Sequence, residues 1–144
     1  MIQQDTVKLL RECDAGIKMG ISSIEDVQGH VTSDTLEQLL SQCREGHQQL
    51  QQKVERMLEK YGDQGKSPNP VAKGMSWMKT NLKLNVADSD ATVAELMTDG
   101  CNMGVKSLSR YLNQYKAADE DSKNIAKDLI SLEARLAEDI RGYL

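Results

Sequence analysis

Phenylalanine is absent from this chain, tryptophan occurs once and proline twice. With so few aromatics the apolar set is dominated by Leu, Met, Val, Ile and Ala, so a core has to be aliphatic. No segment approaches the roughly 20 consecutive apolar residues that would span a bilayer, so no transmembrane segment is expected. The opening residues, Met1-Ile2-Gln3-Gln4-Asp5, lack the basic stretch and apolar run of a secretory signal. Cysteines are few: Cys13, Cys43 and Cys101 are odd in number and form no Cys-x-x-Cys. That usage points to free thiols in a reducing, cytoplasmic setting. A surplus of positive charge is also missing, with 18 Lys and Arg against 22 Asp and Glu and a net charge of -4. Such a balance argues against a nucleic-acid-binding surface and against disorder. Glycine-rich phosphate loops, His-Glu-x-x-His and Ser/His/Asp arrangements are not found.

What remains is helical periodicity. At 144 residues the chain is long enough for one domain with a real core. Four long amphipathic segments follow the 3.6-residue period. The first, 3–29, places Leu10, Cys13, Ile17, Gly20, Ile24 and Val27 on one face. The second, 34–61, reads Leu36, Leu40, Cys43, His47, Leu50, Val54, Met57 and Tyr61 in a 4-3-4-3 rhythm, with Ser33 placed to cap it. The third, 90–116, carries Ala94, Met97, Cys101, Gly104, Leu108 and Tyr111. The fourth, 119–143, carries Ser122, Ala126, Leu129, Glu133, Leu136, Ile140 and Tyr143. Asp119, Glu120 and Asp121 begin it, complementing the positive end of the helix dipole. Gly29 and His30 break the chain between the first two segments and force antiparallel neighbours.

Both prolines fall in Gly62-Asp-Gln-Gly-Lys-Ser-Pro-Asn-Pro70, a turn-rich stop. It leads into a short amphipathic segment from Val71 to Leu84, whose Trp77 is expected to anchor it on the bundle. The lysines of this region, Lys66, Lys73, Lys79 and Lys83, read as a solvated face. The expected organisation is a single four-helix-bundle domain over 1–144: hairpin one 3–61, crossover 62–89, hairpin two 90–144. A crossover of that length suits a bundle whose second and third helices run parallel.

An internal repeat supports the two-hairpin reading. Gly16-Ile-Lys-Met19-Gly20-Ile-Ser-Ser23-Ile24 returns 84 residues later as Gly100-Cys-Asn-Met103-Gly104-Val-Lys-Ser107-Leu108. Each copy sets two glycines four apart in mid-helix, where a glycine costs about 1 kcal/mol relative to alanine. Close helix approach is the expected compensation, with the two copies face to face and Met19 and Met103 filling residual gaps. The competing expectations are an apolar pocket floored by Gly16, Gly20, Gly100 and Gly104 and lined by the methionines, and a homodimer interface.

Two repeated hairpins with a long crossover holding a short helix resemble the ferritin-like superfamily. Leu9-Leu10-Arg-Glu-Cys-Asp-Ala-Gly16 and Val93-Ala-Glu-Leu-Met-Thr-Asp-Gly100 look like helix starts in a family of uncharacterised bacterial, rubrerythrin- or ferritin-like domains. Gly74-Met-Ser-Trp77-Met-Lys-Thr-Asn-Leu82-Lys looks like that family's crossover. The resemblance implies an all-α, ferritin-like four-helix bundle and, in its enzymes, a di-metal centre of four carboxylates and two Glu-x-x-His histidines. This chain departs from that pattern: Gly16-Ile17 and Gly100-Cys101 stand where the first and third helices should offer Glu, and no Glu-x-x-His occurs.

Aligning helices two and four by core rhythm sets His47 opposite Glu133, two polar residues on apolar seams. A buried charge is costly unless paired, so a hydrogen-bonded pair across the bundle is expected. The expected function is a non-enzymatic interaction or scaffold protein without a functional di-metal site or cofactor, a homodimer with an unknown protein partner. The alternatives are a metal-binding protein holding iron, manganese or zinc through His47, Glu133 and Cys43, with Glu12 or Glu95 drawn in by a rotated helix, and a carrier of a small apolar ligand. Cys43 and His47, at i and i+4, share one helix face, and Cys13 or Cys101 would have to complete such a site.

Overall fold

The computed structural model describes residues 2–66 and 90–144. Among them are four α-helices: α1 (Ile2–Gln28), α2 (Asp34–Glu59), α3 (Asp90–Gln114) and α4 (Glu120–Asp139), followed by a 3-10 turn at Arg141–Tyr143. The all-α expectation holds for the described residues. The crossover segment from Val71 to Leu84, and with it Trp77, lies outside them.

Side-chain hydrogen bonds fix the helix directions. Asp90, at the start of α3, accepts from the backbone N–H of Thr32 at 2.8 Å and of Ser33 at 3.1 Å, and from the Thr32 hydroxyl at 2.9 Å. The N-termini of α2 and α3 therefore share one end of the bundle, and these helices run parallel. At the other end, Asp5 and Thr6 of α1 accept from the backbone N–H groups of Ala117 and Asp119. The start of α1 thus adjoins the start of α4, giving an up-down-down-up order. Helix α1 packs against the other three and α4 also packs against α2. The described residues after α2, 60–66, turn back along α1. Asp63 faces Arg11 at 3.9 Å, the Lys66 backbone N–H donates to Asp14 at 2.9 Å, and the Lys66 ammonium pairs with Glu12.

Helix starts follow elementary capping rules. The Ser33 hydroxyl accepts from Leu36 N–H at 3.3 Å and Asp119 accepts from Ser122 N–H at 2.8 Å; each satisfies a first-turn amide. Gln28 closes hairpin one, donating to Glu37 and Ser41 and accepting from Arg44.

The core faces match the periodic reading except at helix ends. In α2 the buried face continues from Val54 to Leu58 rather than to Met57, and Tyr61 lies beyond the helix and is exposed. A 3.6-residue helix drifts against a 3.5-residue rhythm, so strict 4-3 alternation falls about half a residue behind over five turns, and the inward position moves from 57 toward 58. The last segment does not run as one helix to 143: α4 stops at Asp139 and Tyr143 sits in the 3-10 turn, its hydroxyl 3.3 Å from the Ser33 hydroxyl.

Candidate functional site

The buried apolar residues fall into two clusters. One joins Leu9, Leu10, Cys13 and Ile17 to Leu50, Val54, Leu58, Leu108, Ile125, Ala126 and Leu129. The other joins Ile24, Val27, Leu36, Leu40 and Cys43 to Val93, Ala94, Met97, Cys101, Leu136 and Ile140. Between them each helix contributes one residue to a middle layer: Gly20 from α1, His47 from α2, Gly104 from α3 and Glu133 from α4. His47 is 1% and Glu133 7% exposed, so the polar pair is in the interior.

The two glycines make the room. A Cβ on Gly20 would fall 2.6 Å from His47 Nε2 and 2.7 Å from its Cδ2; one on Gly104 would overlap Glu133 Oε2 and lie 2.9 Å from Cδ. Each polar side chain therefore occupies a niche left by the missing Cβ of its own hairpin partner. A third glycine, Gly46, sits beside His47 where α2 meets α4, and a Cβ there would lie 2.9 Å from both methyls of Leu132. Gly46 is not part of the repeat, yet a glycine adjoining a seam histidine in mid-helix is itself a sign of close approach.

The glycine-methionine seam expected from the repeat is not what forms. Only the second glycine of each copy faces a polar partner. Gly16 makes an ordinary contact, 3.8 Å to Leu129 Cδ2. Gly100 is exposed, with no described neighbour within 4 Å of a Cβ, and Met103 is 69% exposed. The physical reason is helical phase. Gly104 lies with Cys101 and Leu108 on the inward stripe, whereas Gly100 is turned about 70° and Met103 about 130° from the middle of it. Met19 is half-buried.

His47 and Glu133 meet, with Nε2 3.5 Å from Oε1. His47 Nδ1 donates to the carbonyl oxygen of Cys43, one turn back, at 2.8 Å, with the Cys43 sulfur at 3.6 Å. The carbonyl can only accept, which fixes a proton on Nδ1. A second proton on Nε2, which the raised pKa of His47 favours, makes the ring an imidazolium facing Glu133 Oε1. Burial alone lowers the His47 pKa, but the contacts to Cys43 and Glu133 outweigh it and push it up to about 10. At 3.5 Å the contact is long for a hydrogen bond, so charge attraction carries more of it than directed bonding. Glu133 Oε2 is buried with no hydrogen-bond partner. Burial first, then the nearby Glu133 and Cys43, pushes the Cys101 thiol up; burial does the same to Cys13, to about 12. All three cysteines are buried and free.

Among the described residues no three His, Cys, Asp or Glu side chains are grouped so as to hold a metal ion. Of the carboxylates considered for a rotated-helix site, Glu12 is paired with Lys66 and Glu95 is exposed. Two open surface hollows among the described residues lie elsewhere: one is bordered by Gln52, Arg56 and Asp63, another by Lys18, Glu25 and Gln48. Among the described residues no helix is long and apolar enough to cross a membrane.

A second buried acid escaped the sequence reading. Asp14 is 1% exposed, accepts from Lys18 at 2.8 Å and from Lys66 N–H, and leaves Oδ1 without a partner. Gly65, at φ +89°, brings the backbone against it; a Cβ there would overlap Asp14 Oδ2. No family model matches the chain, and neither a curated protein nor a solved structure matches it.

Proposed function

We propose that this chain is a ferritin-like bundle that acts without catalysis, as an interaction or scaffold protein, with a closed ion pair where its metal-dependent counterparts hold a di-metal centre. The carrying observation is the engagement of both ring nitrogens of His47, one by its own helix and the other by Glu133. A histidine with both nitrogens protonated has no lone pair for a metal. The up-down-down-up order and the parallel α2 and α3 support the superfamily reading. Self-association as a homodimer is part of this proposal. The outward face of α3, with Gly100 in mid-helix and Met103 mostly exposed, offers a surface for a second copy or another protein.

A metal-binding reading is favoured by one observation, the buried and unpartnered Glu133 Oε2. Elemental analysis for iron, manganese, zinc and copper, on protein purified without chelator or affinity metal, separates the two. The scaffold reading expects metal well below stoichiometry and an unchanged content in His47→Ala. Near-integral metal that is lost in His47→Ala would overturn it.

A further inference from the structure

We infer that the His47–Glu133 contact is the recognition element by which hairpin one selects hairpin two and rejects a like hairpin from a second copy of this chain. The inference concerns the inner seam of the bundle and does not depend on what its outer surface binds.

A chain made of two similar hairpins has an assembly problem. Each hairpin presents an aliphatic face, and aliphatic faces discriminate poorly. On α2 that face is Leu36, Leu40, Cys43, Leu50 and Val54; on α4 it is Ala126, Leu129 and Leu136, with Ile140 just past its end. Any two such faces bury comparable apolar area, so hydrophobic burial alone does not separate one-with-two from one-with-one. The middle layer does separate them. His47 on α2 meets Glu133 on α4 with opposite charge. Pairing two copies of hairpin one would place imidazole against imidazole, and two copies of hairpin two would place carboxylate against carboxylate. Away from water neither like pair keeps both charges: one member has to change its protonation, and the attraction of the unlike pair is lost.

Two further features tie the contact to this one pairing. The Gly20 and Gly104 niches seat each polar side chain against the other helix of its own hairpin. Gly46 against Leu132 adds a shape match beside the charge match. The third buried charged group, Asp14, takes no part, because its partners are Lys18 on its own helix and the backbone of Lys66. A buried polar pair that fixes pairing at some expense of stability is a known physical device.

The test uses the full chain refolded from denaturant at high protein concentration, with species counted by native mass spectrometry and heteronuclear NMR peak number. Wild type is expected to refold to one species. The apolar double variant His47→Leu/Glu133→Met is expected to keep its helicity but to populate additional assemblies, at least tenfold above wild type. The charge-exchanged variant His47→Glu/Glu133→His is expected to return to one species, because opposite charges again meet only across unlike hairpins. The inference is overturned if the apolar variant refolds to the wild-type distribution, or if the charge-exchanged variant is as heterogeneous as the apolar one. Should the apolar variant not fold, the single variant His47→Glu replaces it: carboxylate then meets carboxylate in every pairing, and assemblies no more numerous than in the charge-exchanged variant overturn the inference.

Discussion

Alanine at four repeat glycines should give opposite signs at positions that look alike in sequence. Replacing a mid-helix glycine by alanine gains about 1 kcal/mol of helix propensity wherever space allows. Gly100 has that space, with no described atom within 4 Å of a Cβ, and Gly16 nearly so, with Leu129 at 3.8 Å. Gly100→Ala and Gly16→Ala are therefore expected to stabilise by about 0.5–1 kcal/mol. At Gly20 the new methyl meets the His47 ring at 2.6 Å, and the ring cannot yield without loosening its bonds to Cys43 and Glu133. Overpacking costs about 1–3 kcal/mol, and a damaged buried ion pair adds to it, up to the roughly 3–5 kcal/mol of a fully broken one. After the propensity gain, Gly20→Ala and Gly104→Ala should each destabilise by about 2 kcal/mol or more. Urea unfolding followed by circular dichroism reads this as midpoints shifted in opposite directions at constant slope. In a His47→Ala background the Gly20→Ala penalty should shrink, since the obstructing ring is gone. Loss of stability at Gly100 equal to that at Gly20, or a neutral Gly104→Ala, would refute the niche argument.

Other consequences follow from the same layer. His47→Ala leaves the Glu133 carboxylate buried without its counter-ion and should destabilise by about 3–5 kcal/mol, measured by urea midpoint; an effect under 1 kcal/mol would show the pair to be idle. Because the folded-state pKa of His47 is raised to about 10 from an ordinary 6.5, its contribution is whole below pH 6.5 and declines as pH rises toward 10. Between pH 6.5 and about 7.5, below the ordinary range of the cysteines, wild type should lose stability relative to His47→Gln; parallel pH profiles would contradict this. Asp90 has its pKa lowered by the backbone amide of Thr32 first, against slight desolvation, with help from the Thr32 hydroxyl and Ser33 amide. The stabilisation from Asp90 should therefore be present at neutral pH and fade as acid protonates it, and Asp90→Asn should flatten the acid limb of the unfolding profile. The raised Cys13 and Cys101 thiols should react with a disulfide reagent at neutral pH only at the rate of unfolding; prompt labelling of the native protein would show the core to be open.

The four helices and most of their buried faces were legible because 3.6-residue periodicity reports burial directly: Ile17 through Val27 and Leu36 through Val54 read as they fold. The His47–Glu133 opposition was legible because two polar residues interrupt otherwise apolar seams at corresponding places. The partner of each repeat glycine was not. Glycine marks a missing Cβ but says nothing about what enters the gap, so the repeat suggested backbone meeting backbone, whereas a side chain enters each niche. Asp14 was hidden because its burial comes from the turn after α2, where Gly65 brings Lys66 against α1. That contact is non-local, and no pattern within α1 announces it. The exposure of Gly100 and Met103 was misread because repeat similarity was allowed to stand for helical phase, which places them outside the stripe defined by Cys101, Gly104 and Leu108.

The measurement that bears most directly on the central claim is 15N NMR of the His47 ring, assigned with His47→Gln, at neutral to mildly alkaline pH. The account expects both ring nitrogens protonated up to at least pH 8, with the imidazolium signature lost on Glu133→Gln. A neutral ring with a bare Nε2 at pH 7 would contradict the closed ion pair and leave that nitrogen available to a metal.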